Sequence, residues 1–264
     1  MRIGLILTAA VLFGVTAAAQ PILLSGTIGN APVFLDLDRT GDTVSGWYFY
    51  LKVGKQLRLE GKLNPGGLFA IEEYAAATNS HTGSFKGRVK NGHWNGTWSG
   101  GAGQNEAGNK PLPIAFDEVR DKLQDIDGRF RCKVRARDAD FGTSTVHSFD
   151  LKLGGGRVTA LTLNLDEKVQ GGDEQSCRID TTDLKQLPAA AGILLRARAD
   201  RRSGEHHCSI RIFKAGDYLV LRTGDPSQKG DDCRGAGSEM FCSPRALWLD
   251  LVVNRQTQVC QQVK

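Results

Sequence analysis

The sequence lacks the short motifs that identify the common enzyme classes. It contains no Gly-x-Ser-x-Gly, no His-Glu-x-x-His and no phosphate-binding loop, and it has only five histidines in 264 residues. No two cysteines form a Cys-x-x-Cys pair, which argues against a zinc centre or thioredoxin-like chemistry. We therefore expect a protein that is not an enzyme and needs no cofactor. A hydrolase whose residues converge only in the fold stays an alternative.

Candidate metal ligands are equally sparse. The densest cluster is Glu205–Cys208 (EHHC), but adjacent residues of a strand face opposite sides of a sheet and do not easily share a metal. Asp36–Asp42 begins like a calcium loop, yet the twelfth position is Trp47 where a glutamate is required. We interpret both segments as strand and turn, and we expect no metal.

Long apolar runs are absent beyond the amino terminus. There, Arg2 precedes the uncharged run 3–15, and Ala17–Ala19 supplies the small residues that a signal peptidase reads. This pattern predicts a signal peptide over residues 1–19, cleaved after about Ala19, and hence a periplasmic or extracellular protein. No later run reaches about 18 apolar residues, so we expect no transmembrane segment.

The chain also lacks a strong charge of either sign. Residues 20–116 carry nine basic and seven acidic residues and residues 117–264 carry 24 and 22, so each part has a net charge of +2. A balance this mild gives no reason to expect nucleic acid as the partner.

Cysteine is missing from the first half, and all six cysteines lie between Cys132 and Cys260. An even number in an exported protein predicts three disulfides, for which the sequence allows 15 pairings. The preferred set is Cys132–Cys260, Cys177–Cys208 and Cys233–Cys242. The first of these pairs joins the first and last strands of a domain.

A glycine-centred repeat dominates the first half. A large apolar residue, any residue, glycine, any residue and a second large apolar residue recur around Gly26, Gly46, Gly61, Gly87 and Gly96. In a strand this spacing places both large residues and the glycine on one face. Inward glycines suit a small barrel, whose strands bend sharply enough to bring a backbone or a ring close.

Turn signals divide the first half into eight short strands, predicted at 22–28, 31–38, 43–52, 55–63, 67–74, 82–89, 92–99 and 111–118. We therefore predict an all-β protein. An eight-stranded antiparallel meander or barrel occupies residues 20–118, and 119–127 form a linker with a helical turn or two. A disulfide-stapled antiparallel β domain occupies 128–264, with a short helix over 181–187.

The segments VFLDLDRTGDTVSGWYFY, QLRLEGKL, TGSFKGRV and WNGTWSG resemble a β-meander of exported bacterial proteins with a lipocalin-like shape. The resemblance covers about residues 22–118 and implies a barrel fold, without carrying over any catalytic residue. The carboxy-terminal half is loosely similar in size and cysteine content to disulfide-stapled periplasmic inhibitors of lysozyme. That similarity implies a protein partner bound by an exposed loop.

Two features of the second half are candidate binding sites. The first is the alternating strand RFRCKVRAR, which places five basic residues on one side; they are Arg129, Arg131, Lys133, Arg135 and Arg137. With Arg196, Arg198 and Arg211 they predict either a face for an anionic partner or a solvated face paired with Asp150, Asp180 and Asp200. The second is the small-residue loop between Cys233 and Cys242, with Gly235, Gly237, Ser238 and Glu239.

Together these features predict an exported, non-enzymatic binding protein. Its expected partner is another exported protein or an anionic envelope component, and the most concrete version is an inhibitor of a cell-wall hydrolase or a toxin. The alternative is a protein that binds a small ligand or a lipid inside the first barrel.

Overall fold

The computed structural model describes residues 19–101, 110–138, 143–169, 172, 174–197, 209–223 and 250–263. Within them the protein is all-β, as predicted, with one turn of 3-10 helix as the exception. All strand pairs are antiparallel and join strands that are consecutive in sequence, apart from the pair that closes a barrel.

Eight strands form this closed barrel. They are β1 Gln20–Ile28, β2 Ala31–Thr40, β3 Thr43–Tyr50, β4 Gln56–Leu63, β5 Leu68–Ala75, β6 His81–Lys90, β7 His93–Gly100 and β8 Leu112–Glu118. The barrel closes where β1 pairs with β8, with Gly26 opposite Phe116. The predicted number and order of strands is confirmed, and each strand end lies within a few residues of its predicted position.

Side chains occupy the barrel interior. The two large residues of each glycine repeat point inward, and rings from different strands meet there, as in the 5.0 Å centroid separation of Phe69 and Trp94. Trp94 of the strand HWNGTWSG is buried, and Trp98 packs against the same core. The barrel is therefore stabilised by a continuous apolar core that its aromatic residues dominate.

The repeat glycines are sites of close approach between strands. A methyl group on Gly96 would lie 2.1 Å from the Lys86 carbonyl oxygen and 2.7 Å from Gly87 Cα, both of them backbone atoms of β6. Gly26, Gly46 and Gly61 meet the neighbouring strand in the same way, at 1.9 to 2.2 Å from a carbonyl oxygen. Since no other residue fits this spacing, these glycines allow the bends that close a small barrel.

In the part of the chain that the structure describes, ten further strands form two facing sheets, which we call the sandwich. The four-stranded sheet contains β9 Gly128–Asp138, β10 Thr143–Gly154, β11 Arg157–Val169 and β12 Glu174–Asp180. The six-stranded sheet contains β13 Leu184–Leu187, β14 Ile193–Ala197, β15 Ser209–Ala215, β16 Tyr218–Thr223, β17 Leu251–Asn254 and β18 Cys260–Gln262. Their facing sides enclose one apolar core that includes Phe149, Leu161, Ile212 and Leu219.

Two connections hold the sheets together at their edges. At one edge, the helical turn Thr181–Asp183 leads directly from β12 into β13. At the other, the disulfide Cys132–Cys260 joins β9 to β18, as predicted. The helix predicted over 181–187 is wrong beyond its first three residues, because Leu184 is buried in the core and continues as a strand.

The segment 119–127 between barrel and sandwich contains no helix and packs tightly. Val119 is buried against the barrel's outer surface, while Leu123 and Ile126 are buried in the sandwich core. Lys214 lies 2.9 Å from both Asp121 and Asp125, which raise its pKa. The predicted helical turn does not form, because three apolar side chains are used to join two different cores.

The barrel and the sandwich share a third apolar cluster. Phe34 and Phe49 on the outside of the barrel pack against Phe213, Val220 and Val252 on the outer face of the six-stranded sheet. The Phe34 and Phe213 rings stack with centroids 5.6 Å apart.

A buried ion cluster lies beside this apolar contact. Asp36 on the barrel accepts a hydrogen bond of 3.0 Å from Arg211, and it lies 3.7 Å from Arg222, which in turn contacts Asp250 at 3.1 Å. Asp36, Arg211 and Arg222 are each 8% exposed. The relative position of the two units is therefore fixed by both apolar and ionic contacts.

Candidate functional site

A notch of about 540 Å³ lies where the barrel, β9 and β18 meet. We call it the basic notch. Its walls come from the β3–β4 loop, from the middle of β9 and from β18; the lining residues are Val53, Gly54, Lys55, Lys133, Val134, Arg135, Cys260, Gln261 and Gln262. This size is within the range of sites that bind small ligands or short segments of a partner.

Local structure fixes each wall of the basic notch. The disulfide holds Cys132 and Cys260 with their Cα atoms 5.8 Å apart, so that β9 and β18 cannot separate there. The Gln261 side-chain amide donates to the Leu51 carbonyl and ties β18 to the barrel loop. Gly54 has a positive φ of 70°, and a methyl group on it would lie 2.4 Å from the Gln262 carbonyl oxygen. Glycine is therefore required for the loop to approach β18 this closely.

The described lining of the notch carries three cations and no carboxylate. Lys55, Lys133 and Arg135 are exposed, and none of them forms an ion pair with another described residue. Three positive charges around one concave surface raise the local concentration of anions, and a concave shape with low-dielectric walls strengthens that field. The arrangement is suited to binding a negatively charged group.

The five basic residues predicted on β9 divide into separate groups. Arg129 donates two hydrogen bonds to Asp150, at 2.7 and 2.6 Å, and Arg131 donates a third at 3.1 Å. The Arg129 guanidinium, with help from Arg131, lowers the pKa of the Asp150 carboxyl. These two arginines thus match the solvated, cross-strand-paired interpretation, whereas Lys133 and Arg135 line the notch.

The other basic residues do not extend this surface. Arg211 does not join an exposed basic face, because the barrel covers its side of β15 and Asp36 binds it there. Arg196 is half-buried on β14. The side chain of Arg137 lies outside the part of the chain that the structure describes, as does Arg198.

The predicted recognition loop lies outside the described residues. This applies to Gly235, Gly237, Ser238 and Glu239 and to the expected Cys233–Cys242 disulfide. It applies equally to Cys208 and to the side chain of Cys177, so the pairing Cys177–Cys208 also stays a prediction. Residues 1–18 of the expected signal peptide, and His206 and His207, are likewise outside the described ranges.

Sequence reasoning missed a polar cluster inside one end of the barrel. Glu73 is 3% exposed and accepts hydrogen bonds from the Tyr48 hydroxyl, from Thr82 at 2.6 Å and from the Trp98 indole at 2.9 Å. Burial and the nearby Glu73 raise the pKa of Tyr48. The sequence did contain an indication of this cluster, because the alternation of Phe69, Ile71 and Glu73 places the Glu73 carboxylate at an inward position.

Three donors satisfy the Glu73 carboxylate, so it serves the barrel core and is not exposed to a ligand. Glu72 faces outward as expected from strand alternation, and its carboxylate lies 2.7 Å from His81. We therefore do not assign this cluster to the binding site.

The described residues contain no group of three or more potential ligands that could hold a metal ion. Asp36, the first acid of the segment that begins like a calcium loop, is instead committed to Arg211 and Arg222. Over the same described ranges, no helix is long and apolar enough to span a membrane.

No protein family matches this sequence, and neither curated proteins nor solved structures give a significant match. What this protein binds is therefore inferred from the chemistry of the basic notch.

Proposed function

We propose that this chain is an exported, non-enzymatic binding protein that holds an anionic partner at the basic notch. The observation that carries the proposal is the grouping of Lys55, Lys133 and Arg135 around a concave site whose described lining has no carboxylate. The pattern in residues 1–19 supports the export of the chain. Inhibition of a cell-wall hydrolase or a toxin is the most concrete version of the proposal.

A charge-reversal variant tests the site. We expect Lys55→Glu/Lys133→Glu/Arg135→Glu to weaken binding to a polyanionic probe by about 100-fold at low ionic strength, since three charges change sign and the net charge at the contact falls by six units. The probes are poly-L-glutamate, heparin and phosphatidylglycerol vesicles, measured by biolayer interferometry. The wild-type affinity is expected to fall as salt rises, because exposed charges are screened over about 8 Å at physiological ionic strength.

A matched control separates a specific site from a general charge effect. Lys62→Glu/Lys86→Glu/Lys90→Glu makes the same change of charge at exposed positions of β4 and β6. This variant is expected to bind every probe nearly as tightly as the wild type does. Equal losses in the two triple variants, or no binding of the wild type to any anionic probe, would overturn the proposal.

Two further experiments address export and the partner class. Fractionation of cells expressing the full chain, with mass analysis of its amino terminus, tests cleavage near Ala19. Affinity capture from a periplasmic extract and a lysozyme-inhibition assay test the inhibitor version, which fails if no hydrolase is captured and no inhibition is seen.

A further inference from the structure

One wall of the basic notch is the unpaired edge of a β-sheet. Among the described strands, β9 forms a ladder with β10 alone and is the last strand of its sheet. β18 lies beside it and is linked to it by the disulfide, but within the described ranges β18 pairs only with β17. The outer edge of β9 is therefore not extended by another strand among the described residues.

The backbone groups on this edge can be assigned from one hydrogen bond. The Arg131 N–H points away from β10, because it donates to the Gln258 side-chain oxygen at 2.9 Å. In an antiparallel strand the direction alternates from one residue to the next, and the β9–β10 register is continuous. The N–H and C=O groups of Lys133 and Arg135 therefore also point away from β10, along the edge that lines the notch.

The contact with Gln258 shows which kind of group can bind to this edge. A carbonyl oxygen from a side-chain amide occupies the position that a carbonyl of an added strand would take at Arg131. Two residues further along, the next positions of the edge have no such partner among the described residues. They lie beside Lys55 and the cationic side chains of β9 itself.

From these observations we infer that the notch binds an extended acidic peptide segment, which adds to the edge of β9 as a further strand. The main chain of the segment pairs with Lys133 and Arg135, and its acidic side chains contact the three cations. Strand addition of this kind gives affinity through the main chain and specificity through side-chain contacts. The inference rests on the proposed function and names the class of partner, an exported protein with an acidic extended segment.

The observations favour a peptide over a glycan or a lipid surface. The edge offers donors and acceptors at strand spacing, about 7 Å between equivalent groups, and a peptide backbone matches this repeat. A sulfated glycan or a lipid headgroup carries hydroxyl donors as well as anionic acceptors, but it does not repeat a donor and an acceptor at the spacing of a strand.

The first test compares two peptides of identical charge. One is a fluorescein-labelled heptapeptide of alternating glutamate and valine, and the other has the same sequence methylated at every peptide nitrogen. Methylation removes the donors and blocks close pairing while keeping every carboxylate. We expect fluorescence polarisation to show binding of the first peptide and at least tenfold weaker binding of the second, since each lost hydrogen bond corresponds to about fivefold in affinity.

The second test removes one N–H from the protein. Lys133→Pro and Lys133→Gln both remove the charge, but only the proline variant loses the outward N–H. Proline is tolerated on an edge strand where the N–H faces away from the ladder. We expect the proline variant to bind the unmethylated peptide about fivefold more weakly than the glutamine variant, with the thermal transition of both followed by circular dichroism.

The outcomes separate this inference from the proposed function. Equal binding of the two peptides, or equal affinities of the proline and glutamine variants, overturns strand addition and leaves anion binding in place. Strand addition is also overturned if heparin or phosphatidylglycerol vesicles bind more tightly than the peptide and lose that binding in Lys55→Glu/Lys133→Glu/Arg135→Glu. That result would indicate a glycan or a membrane as the partner. If no anionic probe binds, the proposed function fails and the inference fails with it. If Lys133→Pro does not fold, the comparison of the two peptides decides.

Discussion

At the residue scale, the glycine between Trp94 and Trp98 is a requirement of the barrel. The space beside Gly96 is occupied by the backbone of β6, so neither a side chain nor a ligand fills it. Gly26, Gly46 and Gly61 repeat this contact on other strands. The repeat is therefore a device for bringing bent strands close together, and the large residues that flank each glycine form the core.

Gly96→Ala is expected to destabilise the protein by about 2–4 kcal/mol, because the added methyl group overlaps two backbone atoms that cannot move independently. Urea unfolding followed by tryptophan fluorescence measures the change. Gly154→Ala is the matched control, since its added methyl group has Thr159 Cγ2 as nearest neighbour at 3.6 Å, an ordinary contact. A Gly96→Ala variant as stable as the Gly154→Ala variant would show that the barrel tolerates a side chain here.

His147 makes stability depend on pH. It lies within β10, is 4% exposed, and burial lowers its pKa from 6.5 to about 4. Between these values the unfolded chain binds a proton on this residue and the native protein does not, so stability falls as the pH drops through this window. The loss of unfolding free energy is complete below about pH 4 and amounts to at most about 3 kcal/mol.

The test is the free energy of unfolding from pH 8 to pH 4. His147→Leu is expected to flatten the part of the curve between pH 6.5 and 4 relative to the wild type. A slope that persists in the leucine variant would assign the effect to other groups.

At the scale of elements, β9 and β18 depend on their disulfide. They belong to different sheets, and the bond between Cys132 and Cys260 spans 128 residues of sequence. Cross-linking a loop this long restricts the unfolded chain strongly. The same bond fixes the two strands that line the basic notch.

Cys132→Ser/Cys260→Ser is expected to lower the free energy of unfolding by about 3–5 kcal/mol, as the chain-entropy estimate for a loop of this length indicates. It is also expected to weaken binding of the alternating acidic peptide under conditions where the variant is still folded. Denaturant unfolding and fluorescence polarisation measure the two effects. An unchanged unfolding midpoint would mean that packing alone holds the sheets together.

At the scale of the whole molecule, the barrel and the sandwich are joined by a contact that is both apolar and charged. Asp36 supplies the carboxylate that Arg211 and Arg222 share. Removing one member of a buried ion cluster leaves the others without compensation, which costs much more than losing an exposed pair.

Asp36→Asn is expected to lower stability by about 3–5 kcal/mol and to divide the unfolding of barrel and sandwich into two transitions, because their coupling is weakened. Differential scanning calorimetry resolves the two transitions. Asp117→Asn, which removes an exposed partner of His93, is the control and is expected to cost less than about 1 kcal/mol. A single, unshifted transition in the Asp36 variant would contradict this account of the interface.

The strands of the barrel could be predicted from the sequence because they depend on local chemistry. The alternation in LFAIEEYA and HWNGTWSG gave both the strands and their inward faces, and the Asn91-Gly92 turn between β6 and β7 has the two positive φ values, 54° and 82°, that a tight hairpin favours. The pairing Cys132–Cys260 was also correctly predicted, since the two residues lie on the first and last strands of one unit.

Only part of the basic notch could be predicted from the sequence. Alternation identified Lys133 and Arg135 as basic residues of one strand face, but it could not separate them from Arg129 and Arg131, which Asp150 pairs across the sheet. Lys55 was not identified at all, because it is distant in sequence and reaches the notch through the β3–β4 loop. Arg211 was wrongly predicted to lie on an exposed basic face, because strand alternation does not show which face of a sheet a second domain covers.

The sequence by itself determined the eight strands of the barrel, their inward faces and the positions of their close approaches, since these depend on neighbours one to four residues away. Only the tertiary structure decided which charges are paired and which line a shared concavity. Asp36 and Arg211 are 175 residues apart in the chain yet share a hydrogen bond. Whether a charged residue is free to bind a partner depends on such distant contacts, which no local pattern records.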